Sequence, residues 1–125
     1  MIAVPINGQT WLICGGRDFA DAAMFDAAMS DLIQLRGCPA RIIHGAYRGA
    51  DTLADEWGKR MALDVIAVPA DWKTLHRAAG PIRNQAMLDR KPDMVVAFPG
   101  GTGTADMVRR ARGAGITVAE IKAGA

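Results

Sequence analysis

The stretch Val95-Val96-Ala97-Phe98-Pro99-Gly100-Gly101-Thr102-Gly103-Thr104-Ala105-Asp106-Met107 limits what this chain can fold into more than any other. It reads as an apolar strand, a glycine-rich turn and the opening of a helix. Glycine reaches backbone angles closed to other residues and lets a ligand approach the main chain. A helix starting there aims unpaired N–H groups, and about half a positive charge, back at the turn. A phosphate or carboxylate fits such a junction, and Thr102 and Thr104 add hydroxyl donors. No Lys-Ser or Lys-Thr follows, so this is not a Walker A loop. The dinucleotide fingerprint belongs on a first strand, with an acid ~20 residues on, and that pattern is also missing. The junction specifies an anion without naming it.

At 125 residues the chain suits one domain. We expect a lead-in over 1–8, the ligand-binding domain over 9–122 and a tail over 123–125. Half the residues are hydrophobic and 22% are charged, which describes a soluble globular protein. A net charge of +2 is too small to argue for nucleic acid, so any anion preference has to come from local placement. The two cysteines, Cys14 and Cys38, are too few for a disulfide scaffold and read as free thiols. With no leader and no long apolar run, a cytoplasmic protein away from membranes is expected.

Trp11-Leu12-Ile13-Cys14 is a continuous apolar run, as in a strand covered on both faces. Gly15-Gly16-Arg17-Asp18 ends it. Asp18 is expected to cap a helix with an apolar stripe of Phe25, Met29 and Leu32, closed by Gly37 and Pro39. Arg41 to His44 is a second strand, followed by Gly45 to Asp51 and a helix presenting Leu53, Trp57 and Met61 to the core. Asp64 to Val68 is a third strand. Residues 70–79 show no period and read as a surface loop on the wall of the site. Gly80-Pro81 opens a third helix, with Pro at its first position and Ile82, Ala86 and Met87 buried. The fourth strand and the glycine turn follow, then a helix from Thr104 to Ala114 and a last strand from Ile116 to Ile121.

Strands and helices alternate throughout, about five of each. This implies an α/β fold: one Rossmann-like domain, a parallel sheet with helices on both faces. Ligands then sit beyond the carboxyl ends of the strands, at the switch in strand order. Three glycine turns fall at those ends, which makes a ligand cleft of Gly15, Gly16 and Arg17, of Gly45 and Gly49, and of Gly100 to Thr104.

Arg83 is expected in the first turn of the third helix, where a cation opposes the helix dipole and is better explained by a bound anion. Arg17 stays open between ligand contact and plain surface, and Asn84 between ligand contact and a helix-start role. Asp51 is either a helix N-cap or a functional acid. Asp106 lies in the first helical turn, where an acid is favoured without any function. His44 reads as a satisfied core residue. Trp72 is either packing or a surface for stacking a base. No metal spacing and no nucleophile turn is present, and no cofactor is called for.

Taken together, Gly16-Arg17, His44-Gly45 with Gly49-Ala50-Asp51, Ala70-Asp71-Trp72, Ala79-Gly80-Pro81-Ile82-Arg83-Asn84 and Pro99-Gly100-Gly101-Thr102-Gly103-Thr104 resemble the SLOG superfamily. This group includes the LOG phosphoribohydrolases and the DNA-processing protein DprA, and the resemblance is to its YspA-type, cpYpsA-related branch. It implies a Rossmann-like fold that binds a nucleotide or nucleotide-derived small molecule. In LOG enzymes an Arg and a Glu closing the glycine motif are the catalytic pair. Arg83 matches the arginine, but Met107 occupies the glutamate position, and a thioether cannot stabilise an oxocarbenium ion or handle a proton. Asp106, one residue earlier, projects roughly 100° away around the helix. The resemblance therefore supports a sensor or ligand-binding module first. The alternatives are a nucleotide N-glycosidase using Arg83 with Asp106 or Asp51, and single-stranded DNA binding in the manner of DprA. Related proteins often form homodimers, so a homodimer is an expectation too.

Overall fold

Thr10–Cys14 forms β1, and every one of its five residues is buried, as its unbroken apolar run requires. In the computed structural model, which describes residues 6–122, this strand is the centre of a five-stranded, all-parallel sheet. The other strands are β2 (Arg41–His44), β3 (Asp64–Ala67), β4 (Met94–Ala97) and β5 (Thr117–Glu120), in the order β3-β2-β1-β4-β5. The outer strands β3 and β5 are only half-buried and carry polar residues at their ends, as edge strands do. The expected α/β fold is present. Residues 1–5, most of the expected lead-in, and 123–125, the whole expected tail, lie outside the described residues.

Successive residues of a strand point to opposite faces, so the core divides in two. Trp11, Ile13, Ile42, Met94 and Val96 face helices α1 (Ala22–Arg36) and α2 (Ala50–Arg60). Leu12, Cys14, Ile43, Val95 and Ala97 face α4 (Ala79–Leu88) and α5 (Thr102–Gly113). Helices thus cover both faces. The strand order reverses between β1 and β4, which puts the natural crevice at their carboxyl ends.

Several local expectations are corrected. The cap of α1 is Asp21, which accepts from the Met24 N–H at 3.0 Å, because the chain makes a further turn after Gly16 before the helix starts. Asp18 instead faces Arg48 at 3.6 Å. At the other end Gly37, at φ +88°, closes α1 as expected, and Asn7 donates to the Arg36 carbonyl at 2.9 Å. In α2 the core side is Ala50, Ala54, Trp57 and Gly58, whereas Met61 falls just past the helix and is exposed. A Cβ on Gly58 would come within 2.7 Å of Ile42 and Val65, so small residues let α2 lie directly on the sheet.

The segment expected to be a loop is helical. Asp71 caps a single turn, α3 (Trp72–Leu75), by accepting from the Thr74 N–H at 3.2 Å, and a 3₁₀ turn over His76–Ala78 follows. One turn is too short to show a hydrophobic period. That 3₁₀ turn runs directly into α4, so the helix starts before Pro81, which is its third residue rather than its first. The buried side is accordingly Ala79, Asn84, Met87 and Leu88, with Ile82 and Ala86 exposed. Among the described residues, no helix is long and apolar enough to cross a membrane.

Candidate functional site

A cleft of about 1020 Å³ opens beyond the carboxyl ends of β1 and β4. Its floor is the chain leaving those strands, Cys14-Gly15-Gly16-Arg17 and the run from Pro99 to Thr104. The two runs are locked together, since the Gly16 N–H donates to the Pro99 carbonyl at 2.9 Å. Side chains would prevent this approach. A Cβ on Gly15 would come within 2.6 Å of Ala50 and one on Gly100 within 2.7 Å of the Gly16 nitrogen. Gly101 and Gly103 differ, because a Cβ on either would meet nothing within 4 Å. Packing therefore accounts for Gly15 and Gly100, and does not account for Gly101 or Gly103.

The N-terminus of α5 opens onto this floor. Gly101 is its cap, no side chain caps its first N–H groups and no acid occupies its first turn. In α1, by contrast, the Asp21 carboxylate takes up the Met24 N–H of the first turn. The uncapped amides of α5 stay available to an anion in the cleft.

Arg83 rises from α4 into the cleft wall. Its Nη1 donates to the Gly45 carbonyl at 2.5 Å and its Nε to Asn84 Oδ1 at 3.2 Å. Arg83 is the fifth residue of α4, not in its first turn, so its place follows from those two bonds and not from the helix end. Burial pulls its pKa below the ordinary arginine value, opposed mainly by the charge of Asp51, and the guanidinium stays protonated. Asp51 is the second residue of α2, behind the cap Gly49, and accepts from the Tyr47 N–H at 3.1 Å. Burial pushes its carboxyl up, and this outweighs the Tyr47 N–H, His44, Arg83 and the Gly45 N–H, which all favour the charged form. Cys14 lies in the floor, near enough to both to feel their charges. Burial first and the Asp51 charge second push its thiol up to about 12, against the charge of Arg83, so it is a neutral thiol and no nucleophile.

Asp106 is not in the first turn as expected but is the fifth residue of α5, because the helix starts at Thr102 rather than Thr104, and three side chains hold it. It accepts from Asn84 Nδ2 at 3.0 Å, from Arg110 Nε at 2.9 Å and from Arg109. Burial raises its carboxyl, but the bonds from Asn84 and Arg110 and the two arginine charges outweigh that and leave it below the ordinary range. Asn84 also donates to the Gly103 carbonyl at 3.2 Å, tying α4 to the start of α5.

Eleven of the thirteen expected ligand positions line the cleft: Gly15, Gly16, Arg17, Asp51, Arg83, Asn84 and the five residues from Gly100 to Thr104. The other two, Gly45 and Gly49, do not. Gly45 supplies the carbonyl that orients Arg83, and Gly49, at φ +78°, sits against the Gly16–Arg17 backbone, where any Cβ would collide. His44 is satisfied within the fold. Its Nδ1 accepts from the Ala46 N–H at 2.9 Å, which leaves the proton on Nε2 to face Asp55 Oδ1, also at 2.9 Å. Tyr47, Arg77 and Arg109 line the cleft without being singled out from the sequence as ligand contacts. Tyr47 lies inside the Gly45–Asp51 turn and Arg109 three residues after Asp106, which is the signal that could have found them. Among the described residues, no three His, Cys, Asp or Glu side chains gather as a metal site.

A profile of the YspA, cpYpsA-related SLOG family matches residues 11–75, just over half of the chain. The chain belongs to this family. The chain is also similar to the Gene 61 protein of Mycobacterium phage D29, 34% identical over an alignment of 114 positions that covers 86% of this chain and 91% of that protein. No solved structure matches the chain. Membership of the SLOG family is consistent with a nucleotide-related ligand in the cleft. The matched region carries the Gly16-Arg17 and Gly45–Asp51 turns and ends before Arg83 and the glycine junction. At the position of the LOG glutamate, Met107 is 1% exposed and packs with Leu12, Val95 and Val108 in the core under α5. It faces the sheet, so this position offers the cleft no catalytic group.

Proposed function

We propose that the protein binds a nucleotide or nucleotide-derived small molecule by its phosphate, as a sensor or ligand-binding module. The observation that carries this is the uncapped N-terminus of α5, opening into a cleft with Gly101 and Gly103, whose missing side chains nothing in the packing requires. Arg83 stands in the same cleft, fixed by the Gly45 carbonyl, and Arg17 is exposed at its rim as a second counter-charge. A cleft of about 1020 Å³ is ample for a mononucleotide.

Thermal unfolding against AMP, ADP-ribose, NAD, cyclic nucleotides and inorganic phosphate tests this. A ligand at ~100 times its Kd adds roughly 2.7 kcal/mol, a shift of several degrees for a chain of this length. We expect one nucleotide to shift the wild type and to lose most of that effect in Arg83→Ala. Gly101→Ala should leave the unliganded Tm unchanged and reduce the ligand-induced shift. A panel that shifts nothing would rule out small nucleotides.

A second reading rests on Asp51, whose raised carboxyl lines the cleft beside Arg83. A protonated acid there could give its proton to a departing base as the C1′–N bond breaks, with the bond pair leaving on the base nitrogen. Water then adds at C1′ and returns a proton to the carboxylate. Release of free base from a nucleoside monophosphate, lost in Asp51→Asn, would support it.

A further inference from the structure

Two aromatic side chains on the cleft wall have no role in the core. Trp72, on the single-turn helix α3, is 44% exposed and Tyr47, from the turn after β2, is 41% exposed. They come from separate parts of the chain, yet their ring centroids lie 6.0 Å apart at an interplanar angle of 42°. The two rings meet at that tilt as a corner of the cleft rim, each with a large part of its surface still open. The indole is also held from behind, since a Cβ on Gly80 of α4 would come within 3.3 Å of Trp72 Cη2. Elsewhere the aromatic rings meet inside the core: Phe25 stacks on Phe98 at 4.6 Å and meets Trp57 edge-on. The pair at the rim is the exception.

We infer that Trp72 and Tyr47 form the base-recognition end of the cleft, stacking the nucleobase of a ligand whose phosphate lies on the start of α5. This deepens the nucleotide reading and rests on it. An aromatic corner and a cationic, amide-lined floor in one cleft match a ligand that is planar at one end and anionic at the other. A sugar phosphate or a free phosphate would leave the corner empty. Stacking is tolerant of base identity, so the corner selects for the presence of a base more than for which one.

Ribose 5-phosphate and AMP share a phosphate and a ribose and differ by the base, so their titration separates the two ends. Trp72→Ala should weaken AMP roughly tenfold or more and leave ribose 5-phosphate unchanged. Trp72→Phe should restore most of the AMP affinity, and Tyr47→Ala should give a smaller loss. The chain's other two tryptophans, Trp11 and Trp57, are buried, so acrylamide quenching reports mainly on Trp72. AMP should protect it and ribose 5-phosphate should not. If Trp72→Ala weakens both ligands equally, or neither, the stacking inference is overturned while the phosphate reading stands. If AMP binds without protecting Trp72 from acrylamide, it is likewise overturned. If neither these ligands nor any other nucleotide of the panel binds the wild type, the nucleotide reading itself fails and the stacking inference with it.

Discussion

Asp51 and Asp106 are each 8% exposed, each lie near the start of a helix that follows a strand, and each border the same cleft. Their surroundings differ. Asp106 takes hydrogen bonds from Asn84, Arg109 and Arg110, and its carboxyl is held below the ordinary range. Asp51 has the Tyr47 and Gly45 N–H groups and the charges of His44 and Arg83 beside it, the Arg83 guanidinium being bonded to a carbonyl, and burial still pushes it above that range. Equal solvent exposure thus accompanies one carboxylate that its donors keep charged, and one, set deeper among protein atoms, whose charge burial disfavours. Exposure alone does not mark a functional acid; depth of burial and the donors around the carboxyl decide together.

The largest expected effect follows from removing the fixed one. Asp106→Ala leaves the buried Asn84 amide with one partner fewer and frees two arginines, of which Arg109 already reaches solvent. Discounting the exposed arginine, the cost is about 2 kcal/mol, a fall in Tm of roughly 6–10 °C by thermal unfolding. A Tm within 1 °C of wild type would show that the network does not fix the helix pair, and the contrast between the two acids would collapse.

That contrast was only half legible in the sequence. The strands were readable because continuous apolar runs such as Trp11 to Cys14 and Val95 to Phe98 admit few other structures. The glycine turns were readable because their positions at strand ends are a matter of order along the chain. What the two acids do was not, since it depends on groups brought together in space. Asn84 and Asp106 are 22 residues apart, and their hydrogen bond, with that from Asn84 to the Gly103 carbonyl, makes Asn84 a strut between α4 and α5 as well as a lining residue of the cleft. Met107 could be read as an absent glutamate, but that its side chain faces the sheet required the register of α5. Trp72 could be read as a stacking surface, but the single turn that carries it shows no period, and its meeting with Tyr47, 25 residues earlier, required the fold.

The two acids should also place opposite limits on stability as pH changes. The folded pKa of Asp106 is depressed, so its contribution is present above the ordinary carboxylate range and is lost as pH falls through the folded value. The folded pKa of Asp51 is raised, so its contribution is full below the ordinary range and is lost as pH rises through the folded value. Tm measured against pH should therefore lose part of its acid-side decline in Asp106→Asn, and part of its decline on the other side in Asp51→Asn. Two variants that alter the same limb would mean that the carboxylates titrate alike.

The smallest effect on folding, and the sharpest for function, is expected for Asp51→Asn at neutral pH. The amide keeps an oxygen to accept the Tyr47 N–H and removes a charge that burial disfavours, while Arg83 loses a counter-charge but keeps the Gly45 carbonyl. These changes oppose one another, so the folding stability should stay within about 1 kcal/mol of wild type. Arg83 would then carry its full charge toward an anion, and nucleotide binding measured by calorimetry should hold or tighten. If the cleft only binds, nothing further changes. If it also cleaves, base release should stop while binding persists, because an amide cannot deliver the proton a carboxyl can. A variant that loses binding and stability together would instead make Asp51 a second strut like Asp106, and the difference between the two acids would be one of pKa alone.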